Sequence, residues 1–227
     1  MDGLERATQR VKEFRAREQE ILNCAENLFL EKGEDGVTVE MIAENAGIGK
    51  GTVYKHFQSK DEIYLLLMIR YEQKLADTFL DLKLDNGDQA PSPADNERLA
   101  REYFRFRMQD PARYSLYDRL EGKLSKEDVL PDLMEKLYTI RESNYEVLSS
   151  FIQARIDAGA LEQVPVSYHI AAAWALVHGA VALSQSRFYG EHIEDQDAFF
   201  EFLMDISVRM GNRRSEAENR KVMGSVG

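Results

Sequence analysis

Cysteine is almost absent: Cys24 stands alone in 227 residues. A single thiol excludes a disulfide within the chain and fits a reducing compartment. Proline occurs only five times, and apolar residues rarely alternate with polar ones, so a strand-rich fold is disfavoured. Long hydrophobic runs are missing too. The longest, IAAAWALVHGAVAL at 170–183, falls short of the ~20 residues of a membrane span and contains His178. The first residues, MDGLERATQR, lack the apolar stretch of a secretory signal. The expectation is a cytoplasmic protein with no membrane segment.

Enzymatic signatures are equally scarce. The chain holds no G-x-S-x-G, H-E-x-x-H or C-x-x-C. Its four histidines, His56, His169, His178 and His192, show no ligand-like spacing with Cys24. No catalytic residue, metal site or cofactor is expected, and the chain is read as a non-enzyme.

Positive charge is lacking as well. The formal net charge is −11, so a contact with nucleic acid must be local. Residues 1–60 hold 9 Lys/Arg against 11 Asp/Glu. Within them stand two cationic patches: Arg10, Lys12, Arg15 and Arg17, then Lys50, Lys55 and Lys60. The first predicts either an arm reaching DNA or a disordered cationic tail.

What is present is helical periodicity. Ile21, Leu22, Ala25, Leu28 and Phe29 line one face of a helix over 18–32, ended by Gly33. Thr38 is placed to cap a short helix over 39–45. Gly47 suits a turn with positive φ, and a third short helix follows over 49–56. Ser59-Lys-Asp-Glu62 has the pattern of a capping box and opens a long helix over 60–82. A polar loop is expected at 84–93, with further helices over 94–109, 111–121, 130–158, 166–188 and 195–210. The fold class is all-α.

NAGIGKGTVYKHFQSK at 45–60 joins glycine to lysine. A nucleotide loop fails on spacing. Gly49-Lys50 is followed by Gly51 rather than Ser or Thr, and Glu44 stands where the first glycine belongs. G-x-G-x-G fails the dinucleotide fingerprint too. Two short helices on a tight turn instead make a helix-turn-helix, whose second helix enters the major groove. Val39, Met41, Ile42, Ala43, Ile48, Val53 and Phe57 supply its apolar contacts. Lys50, Thr52, Tyr54, Lys55 and His56 are left facing outward, as donors to phosphates and base edges.

These residues resemble the TetR family of bacterial transcriptional regulators. The likeness rests on A-x-x-L-F-x-x-x-G at 25–33, T-V-x-x-I-A-x-x-A-G-I at 38–48 and G-T-V-Y-x-H-F-x-S-K-x-E at 51–62. It covers about a fifth of the chain. The resemblance implies phosphate contacts by Thr38, Tyr54, His56 and Lys60, with Lys50, Thr52 and Lys55 in or beside the groove. It also implies a C-terminal helical domain that dimerises and binds an effector.

One helix-turn-helix offers a small interface, so two copies a DNA turn apart, ~34–36 Å, are expected on a palindromic operator in double-stranded DNA. Ala171, Ala175, Gly179 and Ala182 recur at helical spacing and allow close approach of a second copy. Phe202 and Ile206 on the last helix extend that homodimer surface. The expected division is 1–60 for DNA binding, with 1–10 disordered, 61–211 for effector binding and dimerisation, and a flexible tail at 212–227. Phe104, Arg105, Met108, Tyr117, Arg141, Tyr145, Trp174 and His178 are the candidates to meet a small apolar or aromatic effector. An arginine beside an apolar cavity suits a carboxylate. The function expected is a repressor released by that effector. The alternatives are an activator, a regulator needing a co-repressor, or a helical ligand-binding module that no longer reads DNA.

Overall fold

The structure is a computed structural model that describes residues 3–86, 92–124 and 130–213. Its elements are all helices: α1 (Gly3–Lys32), α2 (Val39–Asn45), α3 (Lys50–His56), α4 (Lys60–Asn86), α5 (Pro93–Met108), α6 (Pro111–Leu124), α7 (Pro131–Asp157), α8 (Val166–Gln185), α9 (Arg187–Gly190) and α10 (Gln196–Arg209). The all-α expectation holds. Residues 87–91 of the expected loop, and 214–227 of the expected tail, lie outside the described residues.

Two compact units partition the chain. One comprises Met1–Lys74 and Ala112–Arg141, the other Leu75–Pro111 and Glu142–Gly227. The first therefore takes in nearly all of α6 and the start of α7, beyond the N-terminal segment read from sequence.

In the first unit, α1 buries Ile21, Leu22, Ala25, Leu28 and Phe29, the face that the spacing predicts. Residues 3–10, expected to be disordered, are helical. The stretch 5–17 is exposed throughout, so no apolar stripe marked it as helix. Good helix formers and the i,i+4 bond from Gln9 Nε2 to Glu13 Oε1, 2.8 Å, extend α1 without a core to pack on. α1 stops at Gly33, whose φ is +73°.

Two buried carboxylates bind this unit together. Glu26 on α1 pairs with Arg70 Nη2 at 2.7 Å and Arg113 Nε at 3.1 Å, and accepts the hydroxyl of Tyr117. Glu34, just after α1, pairs with Arg119 Nε at 3.1 Å. A buried carboxylate demands such partners, because losing one leaves a desolvated charge uncompensated. Together they fasten α1 to α4 and α6.

In the second unit, α5, α8 and α10 pack on one another, and α9 packs on α8. Leu99, Tyr103, Phe104, Ile170, Val177 and Leu203 are buried there. The helix read over 166–188 is broken: α8 ends at Gln185, and Ser186 takes an extended φ and ψ of −71° and 130°. The Ser186 hydroxyl then accepts from Tyr189 N at 3.3 Å, capping α9. Among the described residues, α8 is the one helix long and apolar enough to cross a membrane, and 22% of its most apolar stretch is buried.

Candidate nucleic-acid interface

Thr38 ends an extended segment, and its hydroxyl accepts from Met41 N at 3.3 Å. That bond starts α2. The other end of α2 closes as a Schellman turn: Ile48 N bonds Ala43 O at 2.9 Å, and Gly47 N bonds Glu44 O at 3.1 Å. Gly47 sits at φ +66°, the left-handed conformation expected there. The turn reverses the chain, and α3 begins two residues after Ile48, capped by the Gly49 backbone alone.

The buried side of the motif is Val39, Ile42, Ala43, Val53 and Phe57; Met41 and Ile48 are half-buried. On the outer side of α3, Lys50, Tyr54 and Lys55 are exposed and Thr52 is half-exposed. Lys50 Nζ is paired with the Glu40 carboxylate and lies 5.7 Å from the centre of the Tyr54 ring. Beside Glu40 the Lys50 ammonium is held above its usual pKa, and the Glu40 carboxyl below its own.

Two of the expected contact residues turn inward. The His56 side chain is 7% exposed, its ring 4.1 Å from that of Phe14 and its Nδ1 3.9 Å from Glu18 Oε1. Its imidazole fills the space between α3 and the N-terminal part of α1. Lys60 Nζ donates to the Glu34 carbonyl at 2.5 Å and lies 5.4 Å from the centre of the Tyr64 ring. Burial pushes its pKa down. Lys60 fastens the start of α4 to the segment just after α1. Arg10, Lys12, Arg15 and Arg17 are all exposed on α1, a helix rather than a loose arm.

The candidate effector residues scatter. A cavity of about 90 Å³ lies in the second unit among α5, α7, α8 and α10, and Phe104 and Trp174 line it. The others stand elsewhere. Arg105 is exposed and pairs with Glu102. Met108 is buried in the core and Tyr145 is half-buried. Tyr117 is bonded to Glu26, and Arg141 is forked onto Glu121 at 2.8 and 2.9 Å. His178 is exposed, its Nδ1 3.0 Å from Trp174 O. Sequence reading missed Arg155 and His169, which do line the cavity. The signal for Arg155 was its place beside apolar Phe151 and Ile152 on one helix face.

The face offered for pairing is uncovered. Ala171, Ala175, Ala182 and Phe202 are exposed, with Gly179 and Ile206 half-buried. Trp174, Leu183 and Phe202 are 46%, 38% and 58% exposed. Among the described residues no group of three or more His, Cys, Asp or Glu is arranged to hold a metal ion.

A tight-turned helix pair with a cationic outer face, followed by a helical domain, defines a helix-turn-helix transcriptional regulator. Residues 21–67 match the profile of bacterial regulatory proteins of the tetR family, and 97–206 that of the tetracyclin repressor-like C-terminal domain. The chain belongs to the tetR family. It is similar to the HTH-type transcriptional repressor AcnR of Corynebacterium diphtheriae, 38% identical over 55 residues. That match spans 24% of this chain and 29% of the relative, less than a third of its length. The fold matches a bacterial regulatory protein of the tetR family from Rhodococcus RHA1, with TM-score 0.68 and 16% identity over 88% of this chain and 98% of the other. It also matches FadR from Bacillus subtilis, solved with stearoyl-CoA, at TM-score 0.59 and 19% identity over 84% and 97% of the two chains.

Proposed function

We propose that this regulator is a homodimeric repressor that binds a palindromic operator and leaves it when a small apolar or aromatic effector occupies the helical domain. The observation that carries the DNA half is the split of α3: Val53 goes inward, while Lys50, Thr52, Tyr54 and Lys55 project from one outer side. Those four reach phosphates and base edges, and Thr38 reaches a phosphate from the start of α2. Lys50 exchanges Glu40 for DNA as it docks. Within an acidic protein this local patch favours a specific seat over non-specific adhesion.

Dimerisation follows from the same demand for two reading helices. An apolar α8 left mostly uncovered is the surface that supports it. The functional division is residues 1–60 for DNA, 61–211 for the effector and the partner copy, and 212–227 as a tail. The repressor sign is the one borne by the name of AcnR. Cytoplasmic location accompanies the role.

The test is selection of duplexes from a random pool, followed by titration of Tyr54→Ala and Lys55→Ala against the selected duplex. Each variant is expected to weaken binding about tenfold or more with the fold intact. Wild-type affinity in both would remove α3 as the reading helix. A reporter gene behind the selected operator separates repression from activation.

A further inference from the structure

The cavity of the second unit carries its own chemical signature. Tyr103, Phe104, Phe151 and Trp174 give it an aromatic wall, and Arg155 and His169 are its basic members. His169 Nε2 lies 3.1 Å from the Glu162 carbonyl. An oxygen acceptor there requires Nε2 to carry the proton, so that nitrogen is occupied. A methyl group on Gly211 would come within 2.6 Å of Nδ1, so the glycine backbone covers the other side of the ring. His169 is thereby fixed as wall.

Arg155 is different. Its Nη2 donates to Asn212 Oδ1 at 2.8 Å, a neutral partner. Among the described residues no carboxylate pairs with it. Burial alone lowers its pKa, yet a guanidinium stays charged across the physiological range. A half-buried cation beside an apolar wall, without a counter-ion, costs free energy that a bound anion recovers. The guanidinium fork is shaped for a carboxylate.

Size narrows the class. About 90 Å³, at roughly 30 Å³ per water-sized group, holds about three heavy atoms beyond the head that meets Arg155. We propose that the cavity binds a short-chain monocarboxylate, its carboxylate on Arg155 and its alkyl group against Phe104, Phe151 and Trp174. This rests on the reading of the protein as an effector-controlled regulator and names the effector class.

The chain's single tryptophan is Trp174, so its intrinsic fluorescence reports the cavity directly. The full chain, without DNA, is titrated with isobutyrate, isobutyramide, benzoate and decanoate, with calorimetry in parallel. Isobutyrate is expected to bind saturably, one per chain, at least tenfold tighter than each of the other three. Arg155→Met is expected to lose the preference for isobutyrate over its amide, and Arg155→Lys to keep part of it. Asn212→Ala controls for loss of the Arg155 anchor and is expected to retain the preference. Equal binding of acid and amide overturns the charge assignment. Tighter binding of decanoate or benzoate overturns the size, and no saturable binding overturns the site. A second arm adds isobutyrate to the protein on its selected duplex and is expected to release it. Binding of isobutyrate by a chain that selects no duplex would sink the regulator and leave the ligand class standing.

Discussion

Phe14 and His56 lie ring against ring, centroids 4.1 Å apart and planes 32° from parallel. Phe14 stands on the exposed forward part of α1, outside the matched residues 21–67, and His56 is the last residue of α3. The extension of α1 thus buttresses α3. Phe14→Ala is expected to cost about 1 kcal/mol, seen as a fall of about 2–4 °C in melting temperature. DNA binding should weaken a few-fold with the salt slope unchanged, since no cation is removed. Anisotropy titrations at several salt concentrations measure this. A lower slope would show that the substitution had disturbed phosphate contacts instead.

Gly47 and Gly211 both have φ near +70°, at +66° and +74°, but their surroundings differ. A Cβ on Gly47 meets nothing within 4 Å, whereas one on Gly211 meets His169 Nδ1 at 2.6 Å. Gly47→Ala is expected to cost only the left-handed backbone, about 1–2 kcal/mol. Gly211→Ala should cost more, because His169 must also shift, and should disturb the cavity. Denaturant melts of the two variants give the comparison; an equal loss would mean that His169 moves freely.

The helix-turn-helix was legible because local rules govern it. Thr38, Gly47 and the apolar spacing from Val39 to Phe57 each act within a few residues. The inward turn of Lys60 was not legible, because its partner is a backbone carbonyl 26 positions away in sequence. The helical nature of 3–10 was hidden by the lack of a buried face, and His56 by the neighbour that this extension supplies. Of the effector candidates, Phe104 and Trp174 line the cavity. Tyr117 and Arg141 have the right chemistry, but Glu26 and Glu121 take them up. Which aromatic residues line a cavity depends on how α5, α7, α8 and α10 meet, and no spacing within one helix encodes that.

Alkaline pH should weaken the first unit. Tyr64 and Tyr117 both have pKa values raised above the ordinary 10, chiefly by burial, with Glu34 and Glu26 respectively next in effect. The unfolded chain releases these protons near pH 10 while the folded chain keeps them, so rising pH favours unfolding. Stability is full below about pH 10 and falls above it, by up to about 1.4 kcal/mol per pH unit for each tyrosine. Tyr117→Phe should lower stability at pH 8 by about 1–2 kcal/mol, as the Glu26 carboxylate loses a donor. It should also flatten the alkaline fall. Urea midpoints at pH 8, 10 and 11 measure both; an unchanged slope would mean that Tyr117 ionises in the folded state.

Gly179 separates a core helix from a pairing helix. A Cβ there meets nothing within 4 Å of its own chain, so the isolated subunit tolerates a larger side chain, and leucine improves helix propensity by up to about 1 kcal/mol. If α8 pairs with a second copy through Ala171, Ala175, Gly179 and Ala182, leucine at 179 overpacks that seam. Gly179→Leu is then expected to halve the sedimenting mass while circular dichroism keeps its helical signal. Operator binding should fall by more than tenfold, because one reading helix alone holds too little surface. Phe202→Glu, which puts a charge on the same exposed face, should act alike without changing a helix glycine. Two variants that keep the dimer mass and the wild-type affinity would move the partner surface away from α8 and α10.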